Sequence, residues 1–193
     1  MVKVGILGLQ GAIEPHEQRL SELDISSLRV TEPTHLEKID AIILPGGEST
    51  TMLNLLKSRK LFEPLKEFCL HHPSWGVCAG AILLAKEVIH PTQESLGIID
   101  IRAERNSYGS QLDSFSGTVQ AVTPMEEEIE VDFIRAPRLF PVKDKNFKDD
   151  HVQCIYTFNG TPVAYLQKKC IVTAFHTELR VGNNILLTRL LSL

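Results

Sequence analysis

Cys78 lies in the run Trp75-Gly76-Val77-Cys78-Ala79-Gly80-Ala81, a thiol with a glycine two positions away on each side, where a short apolar segment meets a helix-forming one. A nucleophile on a sharp strand-to-helix turn needs small neighbours, because bulk would crowd the bent backbone and the approaching carbonyl. Gly76, Ala79 and Gly80 meet that need. The turn also places sulfur at a helix N-terminus, where amide N–H groups and the positive dipole end favour thiolate. Read alone, G-x-C-x-G fits a small buried core residue as well as a nucleophile. A second segment, Phe175-His176-Thr177-Glu178-Leu179, supplies a histidine and a carboxylate two residues apart. On extended chain such residues share a face, so His176 can meet the site while Glu178 orients its ring; read alone, the pair fits better a strand-end histidine with a solvent-exposed glutamate. Cysteine, histidine and carboxylate together make the recipe for acyl transfer. A third segment, Pro45-Gly46-Gly47-Glu48-Ser49-Thr50-Thr51, offers paired glycines whose backbone N–H groups can face a tetrahedral oxyanion, or an ordinary strand-to-helix turn, with Ser49 or Thr50 expected to cap the helix that follows. It lacks the G-x-x-x-x-G-K-[ST] spacing of a phosphate loop.

These residues must be positioned by the elements around them. Residues 2–9 read as a strand and 13–23 as an amphipathic helix; strands near 28–30, 41–44 and just before Cys78, with helices near 50–57 and 61–71, continue the alternation. Ala41-Ile42-Ile43-Leu44 is apolar throughout, which suits a strand covered on both faces. After the helix behind Cys78, strand-like runs follow at 96–101, 115–122, 131–134, 152–158, 163–167 and 171–175, with a closing helix at 185–193. Asn159-Gly160 between two of them signals a hairpin. The pattern predicts one α/β domain over residues 1–193, with a mostly parallel sheet, flanking helices and an antiparallel second half. Cys78 and His176 both fall at carboxyl ends of strands, where open α/β sheets hold their sites.

The 193 residues carry a formal net charge of −4, with 43% hydrophobic and 23% charged residues, so neither nucleic acid nor an anionic membrane is an expected partner. No apolar run is long enough to span a bilayer and the start shows no cleavable signal pattern, so a cytoplasmic location is expected. The acidic run Glu126, Glu127, Glu128, Glu130 and Asp132 reads as a solvated face or loop. Four cysteines show neither zinc spacing nor disulfide density, so a reducing compartment, no metal and no cofactor are expected. Cys69 and Cys170 read as core residues, Cys154 as a strand position.

The three segments together resemble the class I, triad-type glutamine amidotransferases, a resemblance that implies a three-layer, flavodoxin-like domain with the cysteine elbow and the terminal H-x-E on one sheet. With Gly8-Leu9-Gln10-Gly11, Arg105-Asn106-Ser107-Tyr108-Gly109 and Phe133-Ile134-Arg135-Ala136-Pro137 added, nearly the whole chain is similar to the glutaminase subunits of pyridoxal 5′-phosphate synthase. The resemblance implies hydrolysis of L-glutamine, with ammonia passed to a separate synthase subunit. By position it implies Cys78 as nucleophile, His176 as base and acid, Glu178 as orienting carboxylate, Gly46, Gly47 and Ala79 at the oxyanion hole, and Gly47, Glu48, Ser49, Arg105, Ile134 and Arg135 around glutamine. It also implies weak activity until the partner docks. Three positions depart from the pattern: Val77 where threonine is usual, Thr177 for proline, and Ser110 for arginine. Thr177 loosens the segment that aims His176 and Glu178. Two other readings stay open, a stand-alone cysteine hydrolase on the same kind of sheet and a binding-only regulatory subunit.

Overall fold

The computed structural model describes residues 2–105, 114–122, 127–142 and 151–193. Asn106 to Gly109, Ser110 and Glu126 lie outside them. The strands of the first half are β1 (Lys3–Leu7), β2 (Ser26–Val30), β3 (Ala41–Leu44) and β4 (Ser74–Val77), with helices α1 (Ile13–Glu22), α2 (Ser49–Ser58) and α3 (Phe62–His71) between them. A short helix, α4 (Ala79–Leu84), starts directly after Cys78. The second half contributes β5 (Ala85–Ile89), β6 (Ile99–Glu104), β7 (Phe115–Ala121), β8 (Glu128–Phe133), β9 (Arg138–Pro141), β10 (Gln153–Phe158), β11 (Thr161–Gln167), β12 (Cys170–Thr173) and the closing helix α5 (Ile185–Leu191).

Nine strands form one sheet in the order β2-β1-β3-β4-β12-β11-β10-β7-β8. Its first five are parallel and the rest pair antiparallel, so the expected division into two halves runs through a single sheet. Strands β3 and β12 are buried at every residue, the mark of strands covered on both faces. Strand β12 enters the parallel half beside β4, with Thr173 opposite Val77, and thereby brings the end of the chain next to the Cys78 turn. Asn159 and Gly160 both take positive φ (48° and 76°) at the β10–β11 hairpin, as the dipeptide predicts.

A second sheet, β5-β6-β9, is not apparent in the sequence. The segment Ala85-Lys86-Glu87-Val88-Ile89 contains good helix formers and continues the α4 pattern, yet Ala85 turns to ψ 151° and the segment pairs with β6. Burial of Ala85 and Val88 against the core outweighs local propensity there. The expected strand at 96–101 begins later, at Ile99, because Leu96 and Ile98 spend their N–H groups on the carbonyls of Leu83 and Leu84. The acidic run is partly strand: Glu128 and Glu130 point outward from β8 while Ile129 and Val131 are buried. Cys69 and Cys170 are buried, Cys154 is half-buried on β10, and all four cysteines are free. Among the described residues, no helix is long and apolar enough to cross a membrane.

Candidate active site

Cys78 occupies the turn between β4 and α4 with φ 50° and ψ −99°, a region costing a non-glycine residue about 1–3 kcal/mol. Backbone bonds on both sides hold it there: its N–H donates to the Thr173 carbonyl (2.8 Å) and its own carbonyl accepts from Ile82 N–H (3.1 Å). Gly80 lets the helix start press against β3, since a Cβ there would collide with the Leu44 carbonyl. The Cys78 sulfur lies 3.7 Å from the Ile134 carbonyl, which is presented by a turn whose next residue, Arg135, has φ 46°.

His176 follows β12 and is fixed by its backbone. Its N–H donates to the Asp132 carbonyl (2.8 Å) and its carbonyl accepts from Asp132 N–H (3.1 Å), which ties it to β8. The Asp132 carboxylate is itself gripped by Arg180 (2.8 and 3.1 Å) and by the Ser116 hydroxyl (2.6 Å). The ring donates from Nδ1 to Glu178 Oε1 at 2.5 Å, which assigns that proton to Nδ1 and leaves Nε2 for the cysteine side. Nε2 is buried, with no hydrogen-bond partner among the described residues. Gly46 lies against this ring, and a Cβ on it would collide with His176 Cε1.

Burial opposes the charged form of His176, but Cys78 and Glu178 outweigh it and raise the ring's pKa well above its ordinary value. Burial likewise opposes the Glu178 carboxylate, and the bond to His176 with the attraction of His176 and His16 keeps it below the usual carboxylate range. A base held ready to carry a proton, oriented by a carboxylate that stays ionised, is what nucleophile activation needs.

A cavity of about 250 Å³ joins these groups. It is lined by Gly46, Gly47, Glu48, Ser49, Cys78, Ala79, Arg105, Ile134, Arg135 and His176, with Gly11, Ala12 and Ile82 completing the wall. Every site residue expected from the sequence lines it except Glu178, which is buried behind His176. A wider groove of about 570 Å³ along Glu128, Glu130, Arg180 and Asn184 is lined by neither cysteine nor histidine among the described residues.

The helix cap differs from expectation. Glu48, rather than Ser49 or Thr50, caps α2: its longer carboxylate reaches the N–H groups of Thr50 (3.1 Å) and Thr51 (2.7 Å) and also takes the Thr51 hydroxyl (2.8 Å). Despite partial burial these donors lower its pKa. Glu48 also pairs with Arg105 Nη2 (3.1 Å), and its own N–H donates to Gln10 Oε1 (2.9 Å).

Gln93 is a site residue the sequence does not disclose. Its Oε1 accepts from Arg105 Nη1 (2.9 Å), Ser49 Oγ (3.1 Å) and Thr50 Oγ1 (3.1 Å), joining Arg105 to the start of α2 beside the cavity. His16, behind the triad, and Arg180, behind Asp132, are equally silent, because each matters only through a partner remote in sequence. Of the departures from the family pattern, Val77 is buried in β4 and Thr177 is buried with its carbonyl accepting from Arg180 N–H (3.0 Å).

Comparisons with known proteins place the chain in a family. The family model described as the SNO glutamine amidotransferase family matches residues 6–189. The chain is 38% identical over 185 residues to pyridoxal 5′-phosphate synthase subunit PdxT of Thermosipho africanus, covering 95% of each chain. To the subunit of the same name from Fervidobacterium nodosum it is 42% identical over 177 residues, covering 91% of this chain and 89% of the other. A solved structure described as a glutamine amidotransferase superposes with a TM-score of 0.86 at 31% identity, covering 98% of this chain and 99% of that one. With family model, relatives and fold in agreement, the chain belongs to the SNO glutamine amidotransferase family.

Proposed function

We propose that residues 1–193 form one glutaminase domain, active in the cytoplasm, in which Cys78, His176 and Glu178 hydrolyse L-glutamine to L-glutamate and ammonia. The ammonia passes to a separate synthase subunit that assembles pyridoxal 5′-phosphate. The observation that carries this reading is a cavity in which a cysteine on a positive-φ turn meets a buried histidine bonded at 2.5 Å to a buried carboxylate.

The Cys78 thiol gives its proton to His176 Nε2, and sulfur attacks the side-chain carbonyl carbon of glutamine. The oxyanion that forms takes N–H donors from Gly47 and Ala79, bordered by Gly46. His176 then returns the proton to the departing amine, releasing ammonia and leaving a thioester on Cys78. Water attacks that thioester as His176 takes its proton; glutamate leaves and the thiol is restored. Throughout, Glu178 holds the ring in the Nδ1–H tautomer. At the other end of the cavity Glu48 faces the substrate α-ammonium and Arg105 and Arg135 its α-carboxylate, with Ser49 and Ile134 filling the wall.

Ammonia release from L-glutamine, measured on the purified chain alone and with a pyridoxal 5′-phosphate synthase subunit, tests the reading. Slow turnover alone and faster turnover with the partner is the expected result; equal rates in both arms count against dependence on a partner, and no turnover in either counts against the glutaminase.

A further inference from the structure

His16 lies within α1, and none of it reaches solvent. Neither ring nitrogen has a hydrogen-bond partner among the described residues. Leaving buried polar groups unpaired is costly, so packing alone would be better served by an apolar side chain. The ring meets Trp75 edge-on, with centroids 5.4 Å apart and planes at 87°. On its other side, Nε2 stands 3.9 Å from Glu178 Oε1, just outside hydrogen-bond range, and Glu178 Oε2 also lacks a partner among the described residues. Two buried groups with unspent hydrogen-bonding capacity therefore adjoin behind His176. Helix α1 touches the front of the site as well: Ala12 N–H, at its start, holds the Gly46 carbonyl at 2.9 Å, and Gly46 flanks the His176 ring.

We propose that His16 is a positioning residue for Glu178: a neutral imidazole, protonated on Nε2, that directs its N–H at the carboxylate and keeps it ionised and aimed at His176 Nδ1. The proposal rests on the glutaminase reading above. A neutral donor supports the carboxylate without competing as a cation for the charge that His176 must share. Burial keeps His16 neutral, lowering its pKa to about 4 against the pull of Glu178; His176, the other titratable group acting on it, works in the same direction as burial.

Two measurements test this. Ring ¹⁵N NMR of the full wild-type chain between pH 6 and 8 should show His16 neutral and protonated on Nε2; an imidazolium or an Nδ1–H tautomer overturns the proposal. In glutamine hydrolysis with the synthase subunit, His16→Leu should lower kcat about tenfold with KM within about twofold, a split expected when a group that acts in the transition state is misaligned. The acid limb of its kcat profile should move to higher pH, because Glu178 then protonates more easily, and His16→Gln, which restores an N–H, should recover most of kcat and the wild-type limb. Equal kcat and unshifted limbs in both variants, with or without loss of thermal stability, reduce His16 to packing. If His16→Leu does not fold, the NMR tautomer decides. If the wild type releases no ammonia, the glutaminase reading fails while the tautomer still reports on His16.

Discussion

Cys78 and His176, backed by Glu178, share one cavity with the recognition wall, but the two regions are held in different ways. Cys78 and His176 follow β4 and β12, neighbouring parallel strands with Thr173 opposite Val77, and the sheet fixes their separation through backbone pairing. Trp75 reinforces that seam by donating to Thr173 Oγ1 (3.3 Å), whose hydroxyl donates onward to the Phe175 carbonyl (3.0 Å). The wall, by contrast, comes from connections and helix starts: Glu48, Ser49, Arg105, Ile134 and Arg135 belong to no common strand pair. Side-chain bonds converging on Gln93 and Glu48 hold much of it. Burial differs less evenly, with side-chain exposure of 6% for His176 and 0% for Glu178 against 14% for Arg105 and 43% for Glu48, while Ser49 is buried like the triad. On the proposed reading, chemistry falls to residues held by sheet pairing and recognition to a wall held by side-chain bonds, which predicts that damage to the two regions separates into kcat and KM.

The largest effect belongs to the nucleophile. Cys78→Ala should lower kcat by at least about 10⁴-fold while leaving glutamine affinity close to wild type, as removal of a triad member does in other hydrolases. Ammonia release and calorimetric binding together check it, and a lost binding signal would blur the division between the two regions. Glu178→Gln should cost about 10³-fold in kcat with KM little changed, since the amide can favour the wrong ring tautomer. A matching rise in KM would show that the triad also holds substrate.

The buried side of the comparison should also dominate the pH dependence of stability. His16 has a folded pKa lowered from 6.5 to about 4, so between those values the unfolded chain binds a proton that the folded one refuses. Stability therefore falls as pH drops through that window, by about 3 kcal/mol for this group. Glu178, with its depressed pKa, adds loss in the same direction as pH falls through its folded value. His176 acts oppositely: its raised pKa gives stability that is full below 6.5 and is lost as pH rises through the folded value, at about 10. Urea melts across pH should peak near neutrality, and His16→Gln should flatten the acid side. A wild-type curve already flat between pH 4 and 6.5 would contradict the buried neutral imidazole.

Smaller effects belong to the wall. Arg105→Ala should raise KM for glutamine about tenfold with kcat nearly unchanged, and Gln93→Ala should raise it a few-fold by releasing Arg105 and Ser49. Steady-state kinetics on both decide whether Gln93 serves recognition; a fall in kcat without a KM change would move it to the triad side.

The same contrast governs what could be read from sequence. Cys78, His176, Glu178 and the Gly46-Gly47 loop were legible because a sharp turn, a tautomer-fixing carboxylate and close backbone approach demand particular residue types at short spacing. Strand β3 was legible from its unbroken apolar run. What stayed hidden depends on distant partners. His16 looks like any polar helix residue until Trp75 and Glu178 pack on it, and Gln93 acquires meaning only when Ser49 and Arg105 converge on its oxygen. Ala85-Lys86-Glu87-Val88-Ile89 favours helix locally and is strand because β6 lies beside it. The capping role of Glu48 was missed because a shorter side chain is the commoner N-cap, whereas here the longer carboxylate reaches two N–H groups at once.

Covalent trapping with a glutamine-mimicking electrophile, followed by peptide mass spectrometry, tests the central claim most directly. The account predicts one adduct, on Cys78, competed by L-glutamine, absent in Cys78→Ala and slowed in His176→Asn. An adduct on Cys69, Cys154 or Cys170 instead, or labelling of Cys78 at the same rate with and without His176, would contradict it.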